Sequence, residues 1–291
     1  MSRNVVPDAA AGEISVRRAL AQCGLVPVDA QVLLAHALGV DRAWLVAHAT
    51  DPLPRERAGA FFDLAKRRRD GEPVAYLVGR REFHGLDLRV TPAVLVPRPE
   101  TETLVDVALE RLPRDRPVDV ADLGTGSGAI ALAIASARPL ARVLATDVSQ
   151  DALAVARGNA ARLGLSNVAF APGDWYAALA PDAGAFDLVA ANPPYVAADD
   201  AHLSEGDLRF EPAQALTPGG DGLDALRTIV AGARSHLRAG GWLAVEHGFD
   251  QSDAVRALFA EAGFEAVEVR RDLAGIPRVV AGRNLNLGSE P

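Results

Sequence analysis

The chain reads as an α/β protein: a doubly wound parallel-sheet domain preceded by a small all-helical domain, the two joined by a β-hairpin linker. Three observations predict this. Apolar residues recur at helical spacing from position 14 to position 69. From Pro117 onward, short apolar runs alternate with helical stretches, the pattern of a sheet covered on both faces. The first of those runs ends in a glycine-rich turn, Asp122-Leu-Gly-Thr-Gly-Ser-Gly128, that opens the next helix.

In the helical part, helices are expected over 14–23, 29–38, 41–48 and 54–69, with Gly24, Gly39 and Asp51-Pro-Leu-Pro54 as breaks. Lys66-Arg-Arg-Arg69 reads as a solvated helix C-terminus complementing the helix dipole, with contact to an acidic partner as the alternative. Gly71-Glu-Pro-Val-Ala-Tyr76 puts proline just inside a short helical turn that Gly79 ends. The period then changes: 82–90 and 93–96 alternate or run apolar, with Gly85 and Thr91-Pro92 as punctuation, and predict the hairpin. Pro97-Arg-Pro-Glu-Thr-Glu102 must be extended before its glutamates open a helix to position 112; a rigid linker and a wall of a ligand site fit it equally. Strands follow at 118–123, 141–146, 168–171, 186–191 and 241–246, with 264–270 and 278–281 as a closing antiparallel pair. Helices are expected at 129–137, 150–163, 223–237 and 253–262. The expected boundaries are a helical domain over 1–80, the linker over 81–97, a catalytic domain over 98–284 and a flexible tail over 285–291, with fraying from Asn284.

With 291 residues, 49% of them hydrophobic, the chain can build two substantial cores. A formal net charge of −8 supplies no global basic field for a nucleic-acid backbone, so no direct nucleic-acid substrate is expected. The start of the chain is unlike a signal peptide and no uncharged apolar run reaches spanning length; a cytoplasmic protein without a membrane partner is expected. Cys23, the single cysteine, reads as a buried structural thiol. The six histidines form no i, i+4 pair and have no cysteine company, so no metal site is expected.

Gly124, Gly126 and Gly128 allow close backbone approach to a ligand, but their G-x-G-x-G spacing departs from the dinucleotide fingerprint and disfavours a dehydrogenase. Asp122 precedes the turn. Asp147, ending the second strand, can accept both hydroxyls of a ribose. Asp174, in Gly173-Asp-Trp175, could accept from an adenine amino group while Trp175 packs on the ring. Each acid singly also fits a helix cap or a surface turn; their shared place at strand carboxyl ends joins them. Asn192-Pro-Pro-Tyr195 leaves its strand in an extended kink, because two prolines forbid helix and further ladder pairing. There the Asn192 side-chain oxygen and the Pro193 carbonyl can each accept one N–H of a planar NH2 group, and Tyr195 can stack on its plane. By itself the tetrapeptide fits a rigid strand-end turn with a core tyrosine just as well.

Taken together, Asp122-Leu-Gly-Thr-Gly-Ser-Gly128, Asp147, Gly173-Asp-Trp175 and Asn192-Pro-Pro-Tyr195 resemble the S-adenosylmethionine-dependent methyltransferases of seven-stranded Rossmann-like fold, in the branch that methylates planar NH2 groups. Adding Gly71-Glu-Pro-Val-Ala-Tyr76, Glu82-Phe-His-Gly85, Pro97-Arg-Pro-Glu-Thr-Glu102, Glu211-Pro212, Gly220-Asp-Gly-Leu223 and Glu246-His-Gly248, the chain over 14–283 resembles the PrmC/HemK family of release-factor glutamine methyltransferases. His84 stands where the family often has tyrosine, and Arg209-Phe210 precede Glu211. The resemblance implies S-adenosyl-L-methionine as cofactor, held by Asp122, Leu123, Gly124, Thr125, Gly126, Asp147, Asp174, Trp175 and Asn192. It implies peptide chain release factors as protein partner, methylated at the glutamine of their Gly-Gly-Gln motif, with the helical domain recognising them. Asn192, Pro193 and Tyr195 would be the catalytic set, and Pro194 and Phe83 would complete the substrate wall. Accepting both N–H bonds would orient the delocalised amide nitrogen, so no catalytic acid–base pair is expected. An adenine-N6 nucleic-acid methyltransferase would use the same tetrapeptide on a flipped base, and a cofactor-binding module without turnover would keep the fold. The acidic balance counts against the first, and intact Asn192 and Tyr195 against the second.

Overall fold

The computed structural model describes residues 14–179, 185–201 and 206–285. The chain divides into two compact units, Met1–Gly79 and Arg80–Pro291. In the first, α1 (Val16–Gln22), α2 (Pro27–Leu38), α3 (Arg42–Ala47), α4 (Arg55–Arg69) and α5 (Val74–Val78) pack around the fully buried Leu33, Leu34 and Phe61. The Asp41 side chain accepts the Trp44 N–H at 2.7 Å and caps α3, while Gly39 ends α2 in the left-handed region at φ 72°. The basic end of α4 is engaged as well as solvated. Arg68 pairs with Asp29 at 2.8 Å, Arg67 with Glu72 at 2.7 Å, and Arg69 donates to the carbonyl of the buried Cys23.

The second unit opens with an antiparallel hairpin, β1 (Arg80–Phe83) and β2 (Leu86–Arg89), and a 3-10 turn at Pro99–Thr101 leading into α6 (Glu102–Arg111). The doubly wound part is β3 (Val118–Leu123), α7 (Ala129–Ala137), β4 (Ala141–Asp147), α8 (Gln150–Leu163), β5 (Val168–Pro172), β6 (Phe186–Ala191), the short α9 (Ala213–Leu216), α10 (Asp224–His236), β7 (Leu237–Glu246), α11 (Ser252–Glu261), β8 (Glu265–Arg271) and β9 (Pro277–Arg283). Its strands form one sheet in the order β5-β4-β3-β6-β7-β9-β8, with β9 antiparallel to both neighbours. Strand order reverses between β3 and β6, which opens a crevice at their carboxyl ends.

Side chains alternate across the sheet, and both faces are covered. Val120, Leu188, Ala244 and Val279 join the core under α6 and α7, whereas Ala121, Val189, Val245 and Val280 join the core under α10 and α11. The strands are therefore apolar throughout rather than at every second residue.

Three expectations need correction. The apolar stretch 93–96 forms no strand: Val94 and Val96 are buried, but the Val96 N–H goes to Glu211 Oε2 at 3.0 Å instead of to a ladder partner. Strand β7 starts at Leu237, four residues before the apolar run, because Gly241 lets it pass Phe186 closely; a Cβ there would stand 2.9 Å from the Phe186 carbonyl oxygen. Asn284 is fixed rather than frayed. It is 1% exposed, its amide N–H donates to the Gly241 carbonyl at 2.8 Å, and its side chain donates to the Leu237 carbonyl at 3.1 Å. The expected tail beyond Leu285, like His202, lies outside the described residues.

Candidate active site

The crevice at these strand ends is partly open to solvent. Its lining comes from the glycine turn after β3, the ends of β4, β5 and β6, the segment 93–101, and α9 with the residue before it.

On the cofactor side, backbone geometry holds the key groups. Asp147 accepts the Gly126 N–H on Oδ2 and the Ser149 N–H on Oδ1, both at 2.9 Å. Both oxygens keep further lone pairs, and a carboxylate held this way fits a ribose diol. Gly124 and Gly126 have φ of 75° and 56°. A Cβ on Gly124 would come 3.2 Å from the Trp175 ring, so the glycine is what lets that ring close over the turn. Trp175 is itself left-handed at φ 44°, a strained conformation that aims the indole at the crevice, and Asp174 lines it beside the indole.

Two expected cofactor residues do not reach the crevice. Asp122 is fully buried. Its Oδ2 accepts the Thr125 hydroxyl at 2.6 Å and the Ala131 N–H at 3.1 Å, so it braces the glycine turn from beneath. Burial pushes its carboxyl up to about 7, while those two hydrogen bonds oppose the rise and Oδ1 has no partner. Leu123 is fully buried in the core under α10 and α11, because the alternation of β3 turns it to that face. Ser127, Ile130 and Val148 line the crevice instead and were not singled out by sequence; Ser127 and Ile130 directly continue the glycine turn, the one signal that could have found them.

On the other side, the extended kink after β6 alternates like a strand. Asn192 and Pro194 line the crevice, whereas Pro193 is buried and both it and Tyr195 stand outside the lining. The Asn192 Nδ2 donates to Thr101 Oγ1 at 3.1 Å. The Tyr195 hydroxyl donates to Glu246 Oε1 at 3.2 Å, at the end of β7, and its ring packs toward the core under α10 and α11. Burial pushes the Glu246 carboxyl up to about 7; the Thr101 and Tyr195 hydroxyls and the Arg278 charge oppose the rise, and Glu100 adds to it. Burial and the Glu246 charge push the Tyr195 phenol well above its ordinary value, so it stays a donor. The Tyr195 carbonyl accepts Gln251 Nε2 at 3.0 Å, and a Cβ on Gly222 would meet that carbonyl oxygen at 2.5 Å. Gly220-Asp-Gly-Leu223 and the segment after Glu246-His-Gly248 thus converge on the tetrapeptide.

Phe83, expected as a substrate wall, is fully buried between the hairpin and α6 in the core and does not line the crevice. The hairpin serves the site through its backbone instead: Asn159 of α8 accepts the Arg89 N–H at 2.8 Å and donates to the Ser127 carbonyl at 2.9 Å, tying β2 to the glycine turn. His84, left-handed at φ 48°, turns the hairpin and bonds Asp106 at 3.1 Å, away from the lining. Of the two readings of 97–102, the structure selects the wall. Pro97, Arg98 and Thr101 line the crevice, and Arg98 pairs with the buried Glu211 across it.

Residues 15–79 match the PrmC N-terminal domain family, and residues 102–222 match the methyltransferase small domain family. The chain is 56% identical to the release factor glutamine methyltransferase of Xylella fastidiosa over 256 residues, 88% of this chain and 92% of the relative. It is 53% identical to the protein of the same name from Bordetella pertussis over 263 residues, 90% of this chain and 97% of the relative. Among solved structures, the T. thermophilus 16S rRNA N2 G1207 methyltransferase in complex with AdoMet and guanosine superposes with a TM-score of 0.54 at 20% identity, covering 70% of this chain and 49% of that one, a likeness of fold.

Proposed function

The chain belongs to the release factor glutamine methyltransferase family, and from that premise we propose that it transfers the methyl group of S-adenosyl-L-methionine to the N5 amide nitrogen of the glutamine in the Gly-Gly-Gln motif of peptide chain release factors. The observation that carries this reading is the placement of Asp147 and Asn192, a diol acceptor and an amide acceptor, on one crevice at the ends of neighbouring parts of the sheet. When bound, S-adenosyl-L-methionine would supply a sulfonium-activated methyl as the electrophile, with the amide proton passing to solvent water. Asp147 would hold the ribose hydroxyls, and Asp174 and Trp175 the adenine. Asn192 Oδ1 accepts an N–H of the substrate amide, which orients its nitrogen for attack, while Pro193, outside the lining, holds the backbone kink that presents Asn192. Pro194 forms the wall beside them, and Tyr195 anchors the kink from behind through Glu246.

The helical unit is assigned to recognising the release factor. In this reading the enzyme works in the cytoplasm, where its substrate is. No helix of the described residues is long and apolar enough to cross a membrane. Nucleic acid is not a substrate in this reading, in keeping with the net charge of −8. The test is transfer of labelled methyl to purified release factor, to the same factor with its Gly-Gly-Gln glutamine replaced, and to adenine-containing DNA and RNA. Label on the intact factor alone is expected. Label on nucleic acid, or on the glutamine-replaced factor to an equal extent, overturns the substrate.

A further inference from the structure

An asparagine side chain is nearly symmetrical in shape, so its amide oxygen faces a ligand only if something fixes the flip. At Asn192 that something is a hydroxyl. We propose that Thr101 is a positioning residue whose Oγ1 takes the Asn192 amide hydrogen and thereby holds the Asn192 oxygen toward the crevice. This rests on the reading of Asn192 as the acceptor of the substrate N–H.

The hydrogen-bond inventory supports the direction. Thr101 closes the 3-10 turn that runs straight into α6, and its side chain accepts no backbone N–H of that helix. Its hydroxyl is instead at 3.1 Å from Asn192 Nδ2, in a residue only 4% exposed. A hydroxyl has one proton to give. The neighbouring Glu246 carboxylate takes the Tyr195 proton on Oε1 and keeps Oε2 buried without a partner, so it is the acceptor left open to that proton, and the Thr101 hydroxyl opposes the rise that burial gives its carboxyl. With its proton so directed, Thr101 meets Asn192 as an acceptor, and the Asn192 NH2 must turn to it. The flipped amide would set oxygen lone pairs against oxygen lone pairs. Among the described residues no group donates to Asn192 Oδ1, and that oxygen is not sealed from solvent, as an acceptor awaiting a substrate N–H requires.

Valine has the shape of threonine without the hydroxyl, and serine has the hydroxyl without the methyl. The full-length Thr101→Val and Thr101→Ser proteins are therefore assayed at pH 8, above the value of about 7 to which burial pushes Glu246, for kcat and KM with release factor and for affinity toward S-adenosylhomocysteine. Expected is a fall in kcat of about tenfold or more for Thr101→Val, the scale of one lost orienting hydrogen bond, with S-adenosylhomocysteine affinity unchanged and kcat restored by Thr101→Ser. In nitrogen-labelled protein, the Asn192 side-chain NH2 signals, assigned by their loss in Asn192→Ala, are expected to resist water exchange in wild type and Thr101→Ser but not in Thr101→Val. Unchanged kcat in Thr101→Val, serine as poor as valine, or equal exchange in all three overturns the assignment. A wild-type enzyme that labels nucleic acid instead overturns the substrate alone; the same variants measured on that acceptor, and the exchange measurement, still decide the role of Thr101.

Discussion

Asp147 and Asn192 face one crevice but are held there by different means. Asp147 is locked by two backbone N–H groups, Gly126 and Ser149, both in turns that flank strand ends. Asn192 is locked by a side chain, Thr101, 91 positions away in sequence, and the kink that carries it is tied to Glu246, Gln251 and Gly222 from three further segments. The cofactor half is thus built from local backbone geometry, which tolerates side-chain change wherever glycine is kept. The acceptor half is built from distant side chains and is sensitive to single-atom substitutions.

Four experiments sharpen or break this contrast. The largest effect is expected for Asn192→Ala, which should lower kcat by about 10²–10³-fold, as loss of one preorganised polar group does, while leaving cofactor affinity nearly unchanged. Unimpaired turnover would remove Asn192 from the mechanism. Next is Gly124→Ala. A side chain at φ 75° and 3.2 Å from the Trp175 ring strains the turn by about 1–2 kcal/mol, so cofactor affinity should fall roughly tenfold, read by titration; equal affinity would show that the turn yields. Asp147→Asn should weaken cofactor binding by a similar or smaller factor, about 1.5 kcal/mol, with kcat at saturating cofactor preserved. A collapse of kcat instead would merge the two halves.

The smallest effect on turnover concerns Asp122, beneath the turn. Its folded carboxyl, pushed up to about 7, binds its proton more tightly than the unfolded chain does. Between about pH 4 and 7 the native state therefore holds more protons, and stability should fall as pH rises through that window. Glu246, also near 7, adds to the same slope. Asp122→Asn keeps an acceptor for Thr125 and Ala131 and should flatten the slope in denaturation measured across those pH values. An unchanged slope would mean that Asp122 titrates alike in both states.

What could be read without coordinates follows from how far each interaction reaches along the chain. The doubly wound order, the glycine turn and the position of Asp147, Trp175 and Asn192 at strand ends on the crevice were legible because strand periodicity and turn glycines are local signals. Leu123, expected at the cofactor, Tyr195, expected on the substrate amide, and Phe83, expected as a wall, all stand outside the crevice lining for one shared reason: position next to a motif does not say which face an alternating segment presents. Strand β3 turns Leu123 to one core, the kink turns Tyr195 to Glu246, and β1 turns Phe83 under α6. Asp122 was misjudged differently, since only its burial shows that it supports the turn and does not touch the ligand space. Amino-acid order alone settled the fold, the chemistry available at each strand end and the family. Folding decided which of those groups meet, because Thr101, Glu211 and Glu246 acquire their roles only when hydrogen bonds between segments far apart in the chain give each buried polar group its partner.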